Sequence, residues 1–250
     1  MPITVINDAG TVLLDDTYQN LALVYHTAVS TQALGAAHES DYYSANMNSG
    51  AGFVLTVADS QVGNPLVAVR CTSQVVAVAE SYRTGAATTF LIKSRDPVWF
   101  DLYVFGLPQV IGGNGDMKLF NASGVKTFDS SLKYCRVVDF VQVYPSSPSI
   151  LPPPALGNTG WAMPWAVSRG YDGSRIYAAA QVSSERFWDE DGRGSQDMYI
   201  TERTIGSQFS GGSVRFDYAF TRQGIGGGDG GYDAHGALEA SFLVLDVTGY

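Results

Sequence analysis

The sequence predicts an all-β protein: two related β-sandwich-like domains produced by an internal duplication and carrying long surface loops. Three observations predict it. Short runs rich in β-branched and aromatic residues are separated by turn chemistry at roughly the 8–12-residue spacing of sandwiches and barrels. A stretch near the N-terminus returns in the second half of the chain without gaps. Glycine, at 28 of 250 residues, exceeds the usual ~7%, while charged residues make up 16%, well below the ~25% of an average soluble domain. A chain so apolar and weakly charged is neither disordered nor a coiled coil.

The repeat sets the domain boundaries. Residues 3–29 align with residues 117–143 at an offset of 114. Asn7 meets Asn121, Gly10 meets Gly124 and Asp15 meets Asp129, while Val5, Ile6 and Leu14 meet Leu119, Phe120 and Phe128. A second match sets Val98–Leu102 against Val214–Tyr218. The expected domains are 1–114 and 115–250, joined at the glycine-rich stretch Ile111–Asp116. The second domain carries a proline-rich loop at 145–157, stiffened as polyproline II, and a glycine-rich loop at 224–231.

Each element follows from local chemistry. Asn-x-x-Gly between apolar runs makes a hairpin, because Asn and Gly tolerate the left-handed backbone that such turns need. Leu21–Ala28 has helix-like periodicity, but its repeat partner Cys135–Val143 is β-branched and predicts a strand. Leu66–Val69, Gln74–Ala79, Thr88–Ile92 and Val98–Phe105 continue the first domain. Arg175–Val182, Met198–Thr201, Ser213–Arg222 and Ala237–Val247 continue the second, and the polar stretch 30–50 is a loop.

Composition and motifs narrow the function. With 15 basic against 24 acidic residues, the net charge is −9 and no basic face is expected for nucleic acid or an anionic membrane. No apolar run reaches the ~18 residues of a membrane span, and Met1-Pro2-Ile3-Thr4 does not read as a signal peptide. Cys71 and Cys135 are expected as free thiols, and His26, His38 and His235 share no metal spacing. The acidic run Asp189–Asp197 resembles a calcium loop but has Arg193 and Ile200 where oxygen ligands are needed, so it reads as a solvated turn. Gly226, Gly228 and Gly231 spell G-x-G-x-x-G without the strand-to-helix context of a dinucleotide site, so no cofactor is expected. No G-x-S-x-G elbow is present. Asp172, Asp189 and Asp191 are the nominal carboxylates for glycoside hydrolysis. Exposed contacts are expected at Trp161 and Trp165 and on the late loop at Gly226, Gly228, Asp229 and Tyr232.

The run Met117-Lys-Leu-Phe-Asn-Ala-Ser-Gly-Val-Lys-Thr-Phe-Asp-Ser130 resembles small tail or tail-tip-associated structural proteins of tailed bacteriophages. Asn121, Gly124, Phe128, Asp129 and Ser130 carry the resemblance. Asn7, Gly10 and Asp15 carry a weaker copy, with Leu14 in place of Phe and Asp16 in place of Ser. The resemblance implies a structural virion component at the tail tip, baseplate or fibre-attachment region, folded in the bacterial cytoplasm. It implies homo-oligomers and contacts with other tail proteins, with the hairpin residues as the assembly motif, and reach to a host receptor or glycan. It implies no enzyme, cofactor, nucleic-acid partner or membrane insertion. The alternative is a carbohydrate-binding or receptor-binding adhesin domain, and the third reading is a glycan-degrading enzyme.

Overall fold

Alternation of buried and exposed side chains builds this protein. In the strand Ala51–Ala58, Ala51, Leu55 and Val57 point inward while Val54 and Thr56 face out, the period of two that a half-buried strand requires. The computed structural model describes residues 4–6, 12–15, 20–33, 50–108, 110–143, 166–184, 187–192, 198–226 and 240–250. The first half contains β1 (Thr4–Ile6), β2 (Val12–Asp15), β3 (Ala22–Ser30), β4 (Gln32–Ala33), β5 (Ala51–Ala58), β6 (Leu66–Arg70), β7 (Val76–Thr84), β8 (Ala87–Ser94) and β9 (Trp99–Gly106). One helical turn, α1 (Asp59–Val62), follows β5. The second half contains β10 (Lys118–Phe120), β11 (Lys126–Asp129), β12 (Val137–Val143), β13 (Val167–Gly170), β14 (Tyr177–Ser184), β15 (Phe187–Gly192), β16 (Met198–Ser210), β17 (Ser213–Gly226) and β18 (Ala240–Asp246).

The protein is all-β and sandwich-like, as expected from sequence. A six-stranded antiparallel sheet has the order β12-β18-β14-β6-β9-β3. An eight-stranded sheet runs β13-β17-β16-β7-β8-β5-β4, with β15 paired to β16, and β1-β2 and β10-β11 form separate hairpins. Between the large sheets lie two cores. One joins Leu55, Val76, Phe90 and Ile92 to Val69, Phe100, Leu102 and Val104; the other joins Ile205, Phe209 and Phe216 to Val141, Phe242 and Val244. Each half therefore encloses a core of its own. Both halves share both sheets: β6 pairs with β14 through Ala68–Ala180 and Val69–Ala179, and β7 meets β16 at Val76–Ser207.

The two halves follow the same course. Each opens with a hairpin, and the chain then passes alternately between the sheets: β3, β5, β6, β7–β8, β9 against β12, β13, β14, β16–β17, β18. In the six-stranded sheet this makes the order symmetric about the β6–β14 junction. The offset of 114 holds at the level of single cross-strand residue pairs. Thr4–Asp15, Val5–Leu14 and Ile6–Val12 correspond to Lys118–Asp129, Leu119–Phe128 and Phe120–Lys126, with the bulge in the same place. The bulge between Leu23 and Tyr25 corresponds to the one between Val137 and Asp139. Leu21 and Cys135, also counterparts, meet directly: Cys135 N donates to Leu21 O at 2.8 Å.

Several expectations change. The second sequence match is not a structural correspondence, because Val98–Leu102 enters the six-stranded sheet while Val214–Tyr218 lies in the eight-stranded one. Both segments alternate apolar residues inward, which makes their sequences alike. Asp189–Gly192, expected as part of a turn, belongs to β15 and pairs with Met198–Thr201. Ladder pairing to the long β16 overrides the turn composition there. Strands β4, β5 and β13 are not marked by the sequence pattern, and β4 lies within the 30–50 stretch expected as a loop, where Gln32 and Ala33 pair with Gly52 and Ala51. Leu21–Ala28 falls in the extended segment that includes β3, as its repeat partner required.

Candidate functional site

The motif residues of the second hairpin prove to be fold makers. Asn121 Oδ1 accepts hydrogen bonds from Ser123 N at 3.0 Å and Val125 N at 2.9 Å, and Gly124 takes φ +74°. This is the Asx-turn chemistry that Asn-x-x-Gly supplies. Phe128 stacks on Tyr134 with ring centroids 5.0 Å apart. Asp129 is fully buried, and its Oδ1 accepts from Ser131 Oγ at 2.6 Å, Ser131 N at 3.0 Å and Gly115 N at 3.1 Å. Lys126 and Lys118 lie 3.7 and 3.9 Å from its Oδ2. The Ser131 hydroxyl bond leads in holding this carboxyl down at about 2, against the opposing effect of burial, with the Ser131 and Gly115 amides and Lys118 assisting. The glycine-rich join thus wraps a buried anion, and a Cβ on Gly115 would stand 2.5 Å from it. Asp15 takes the corresponding place at the end of β2, opposite Thr4.

Other expected sites divide by location. Asn7, Gly10, Trp161, Trp165, Gly228, Asp229 and Tyr232 lie outside the described residues. Gly226 ends β17 opposite Met198. Asp172 braces a surface turn, accepting from Ser174 N at 2.9 Å and Ser174 Oγ at 2.7 Å, and these bonds lower its pKa. A general acid needs the opposite shift. Among the described residues no group of three His, Cys, Asp or Glu is placed to hold a metal ion, and no helix is long and apolar enough to cross a membrane.

The chemically richest surface was not singled out by sequence. It lies on the outer face of the six-stranded sheet. Along β9, Phe100, Leu102 and Val104 point into the core, so Trp99, Asp101 and Tyr103 alternate onto the opposite face. Register then brings Ala28 and Arg70 beside Asp101, and His26 and Ala68 beside Tyr103. Arg70 Nη1 donates to Asp101 Oδ2 at 3.2 Å, and His26 Nε2 lies 3.7 Å from Asp101 Oδ1. The His26 ring stacks on Tyr103 with centroids 4.2 Å apart and planes within 2°. Burial pushes the Tyr103 hydroxyl up to about 12, with Asp101 adding to the rise and Arg70 opposing it. Trp99 is 70% exposed. A free indole face, a donor–acceptor pair and a stacked imidazole therefore share one rigid surface. The signal in the sequence is Trp-Phe-Asp-Leu-Tyr, an alternation whose outward set is aromatic and acidic.

The other end of this face differs. A single row of paired residues crosses the sheet: His26, Tyr103, Ala68, Ala180, Leu243, Phe140. Phe140 occupies the place corresponding to His26 and is 53% exposed, with Val137 and Val138 exposed beside it on β12. One end of the row is polar and aromatic, the other apolar.

A cavity of about 340 Å³ opens where β6 and β14 separate beyond the Ala68–Ala180 pair, lined by Leu66, Val67, Val78, Phe90 and Gln181 among others. The Gln181 amide is buried and finds no partner for its nitrogen or oxygen among the described residues. Compared with protein-family models, curated proteins and solved structures, the chain matches none of them.

Proposed function

We propose that this chain is a structural component of a tailed-bacteriophage virion, at the tail tip, baseplate or fibre-attachment region, and that it works as a scaffold without catalysis. The observation that carries the reading is the opening hairpin. The segment that resembles phage tail proteins is the unit that opens each half of the chain, at the same register and with the same bulge. The reading takes the two halves as products of an internal duplication. It places the protein in the bacterial cytoplasm until assembly and gives it other tail proteins as partners.

Copies of the chain also contact one another in this reading. The support is β12, an edge strand with no partner on its outer side among the described residues. Edge strands are commonly blunted by charge. Here the exposed side chains include Val137, Val138 and Phe140, while Asp139 accepts a 2.8 Å hydrogen bond from the Tyr171 hydroxyl. A contact along those apolar side chains sets no like charges directly against each other, and burial of the side chains offsets the general repulsion between two copies of net charge −9.

Mass spectrometry of purified particles tests the virion reading. The protein is expected in the particle at a copy number comparable to known tail components, and its absence overturns the proposal. A second reading, an adhesin that recognises a host receptor or glycan, is favoured by the exposed Trp99 beside the Arg70–Asp101 pair. Both readings hold together if the adhesive face sits on the tail.

A further inference from the structure

We propose that the Trp99–Asp101–Arg70–His26 face is a binding site for a neutral saccharide unit. The proposal gives the host-contact part of the virion reading a ligand and rests on that reading only for its setting. Particle composition tests the one and sugar binding tests the other, so each can fail alone.

Three observations select the ligand. Trp99 is 70% exposed on a strand whose neighbours hold it in a rigid sheet. An exposed indole offers the apolar faces of a sugar ring a large contact with little loss of side-chain freedom. Asp101 stands two residues along the same face, about 7 Å away by strand rise, so one ligand can touch both. Arg70 and Asp101 are already paired at 3.2 Å, placing a donor fork and an acceptor side by side. A hydroxyl group is donor and acceptor at once and suits such a pair, and adjacent hydroxyls suit it better.

Charge excludes the competitors. The Arg70–Asp101 pair is neutral as a unit. An anionic ligand meets the Asp101 carboxylate and a chain of net charge −9, and a cationic one meets the Arg70 guanidinium. His26 lies 3.7 Å from the other Asp101 oxygen and stacks on Tyr103, so the carboxylate is oriented before any ligand arrives. Such pre-organisation reduces the ordering cost of binding. At the far end of the sheet Phe140 stands in the place of His26 and the uncharged Ser241 in that of Asp101, so the charged set is not a requirement of the sheet. An open face of this kind holds one sugar weakly, and several copies on one particle raise the avidity.

The test is saturation-transfer NMR on the full-length chain with glucose, galactose, mannose, N-acetylglucosamine and rhamnose, with glucuronate and glucosamine as charged controls. At least one neutral sugar is expected to give a saturable signal stronger than either control. Trp99→Ala is expected to weaken binding about tenfold or more, and Arg70→Met to do the same. Circular dichroism confirms that each variant is folded; Trp99 is exposed, so its removal leaves the cores intact. No saturable neutral sugar at tens of millimolar overturns the proposal. So does unchanged binding in folded Trp99→Ala, or preference for a charged sugar.

Discussion

Asp129 shows how one residue ties the opening hairpin to the chain before it. Its carboxylate is buried, is bonded by Ser131 and Gly115, and lies near Lys126 and Lys118. Its pKa is held at about 2, below the ordinary 3.8, so the unfolded chain binds the proton more readily. The stabilisation is therefore complete above about pH 4 and is lost as pH falls through about 2. Asp246 adds in the same direction: burial pushes its carboxyl up, but hydrogen bonds from Thr248 and Arg175 and the nearby Arg136 charge bring it below the ordinary value. Asp129→Asn is expected to lower the thermal midpoint at neutral pH and to flatten the loss of stability between pH 4 and 2. An unchanged acid limb would remove Asp129 from this role. Asn121 and Gly124 were legible in the sequence because their turn chemistry is local. Trp99, Asp101, Arg70 and His26 were not, because β3, β6 and β9 bring them together from three distant segments.

At the scale of elements, the weak points are the places where one half meets the other. Gly206 on β16 packs so tightly that a Cβ would stand 2.4 Å from the Val76 carbonyl. Gly206→Ala is expected to force β7 and β16 apart and cost about 1–3 kcal/mol, read by chemical denaturation. Val76–Ser207 is the one registered β7–β16 pair among the described residues, supported by Phe209 N donating to Cys71 O at 2.8 Å. Gln181 carries a buried amide with no partner among the described residues beside the β6–β14 opening, whereas Val69, its counterpart on β6, is buried in the core. Gln181→Val removes that amide and installs the residue type its counterpart carries, a β-branched side chain that a strand accommodates well. It is expected to raise stability by about 1–3 kcal/mol; a loss of stability would mean that the amide is satisfied in solution. Most strands could be read from β-branched alternation, and β3 from its repeat partner. The β6–β14 junction could not, since alanines at the contact carry no pattern that names a partner. β15 was hidden by acidic turn-like composition.

For the whole molecule, a core in each half, a third that joins Tyr103 and Phe105 of one half to Ala178 and Leu245 of the other, and two shared sheets make one scaffold whose outer face has unlike ends. The offset of 114 between the two hairpins was legible in the sequence, because hairpin residues are constrained one by one. That both halves share both sheets was not, because edge-to-edge pairing depends on backbone groups and leaves little trace in residue type. The β12 edge is expected to hold copies together. Light scattering after size exclusion should show an oligomer for the unaltered chain and a smaller species for Phe140→Lys. A monomer at high concentration, or an unchanged oligomer in the variant, would move the contact elsewhere. The polar end is then left to face outward, which suits a protein carried in several copies near the host-facing end of a tail. Electron microscopy of particles labelled with gold through an antibody to this chain tests that placement most directly. Label is expected at the distal end of the tail; label on the head or neck, or none on intact particles, overturns the placement.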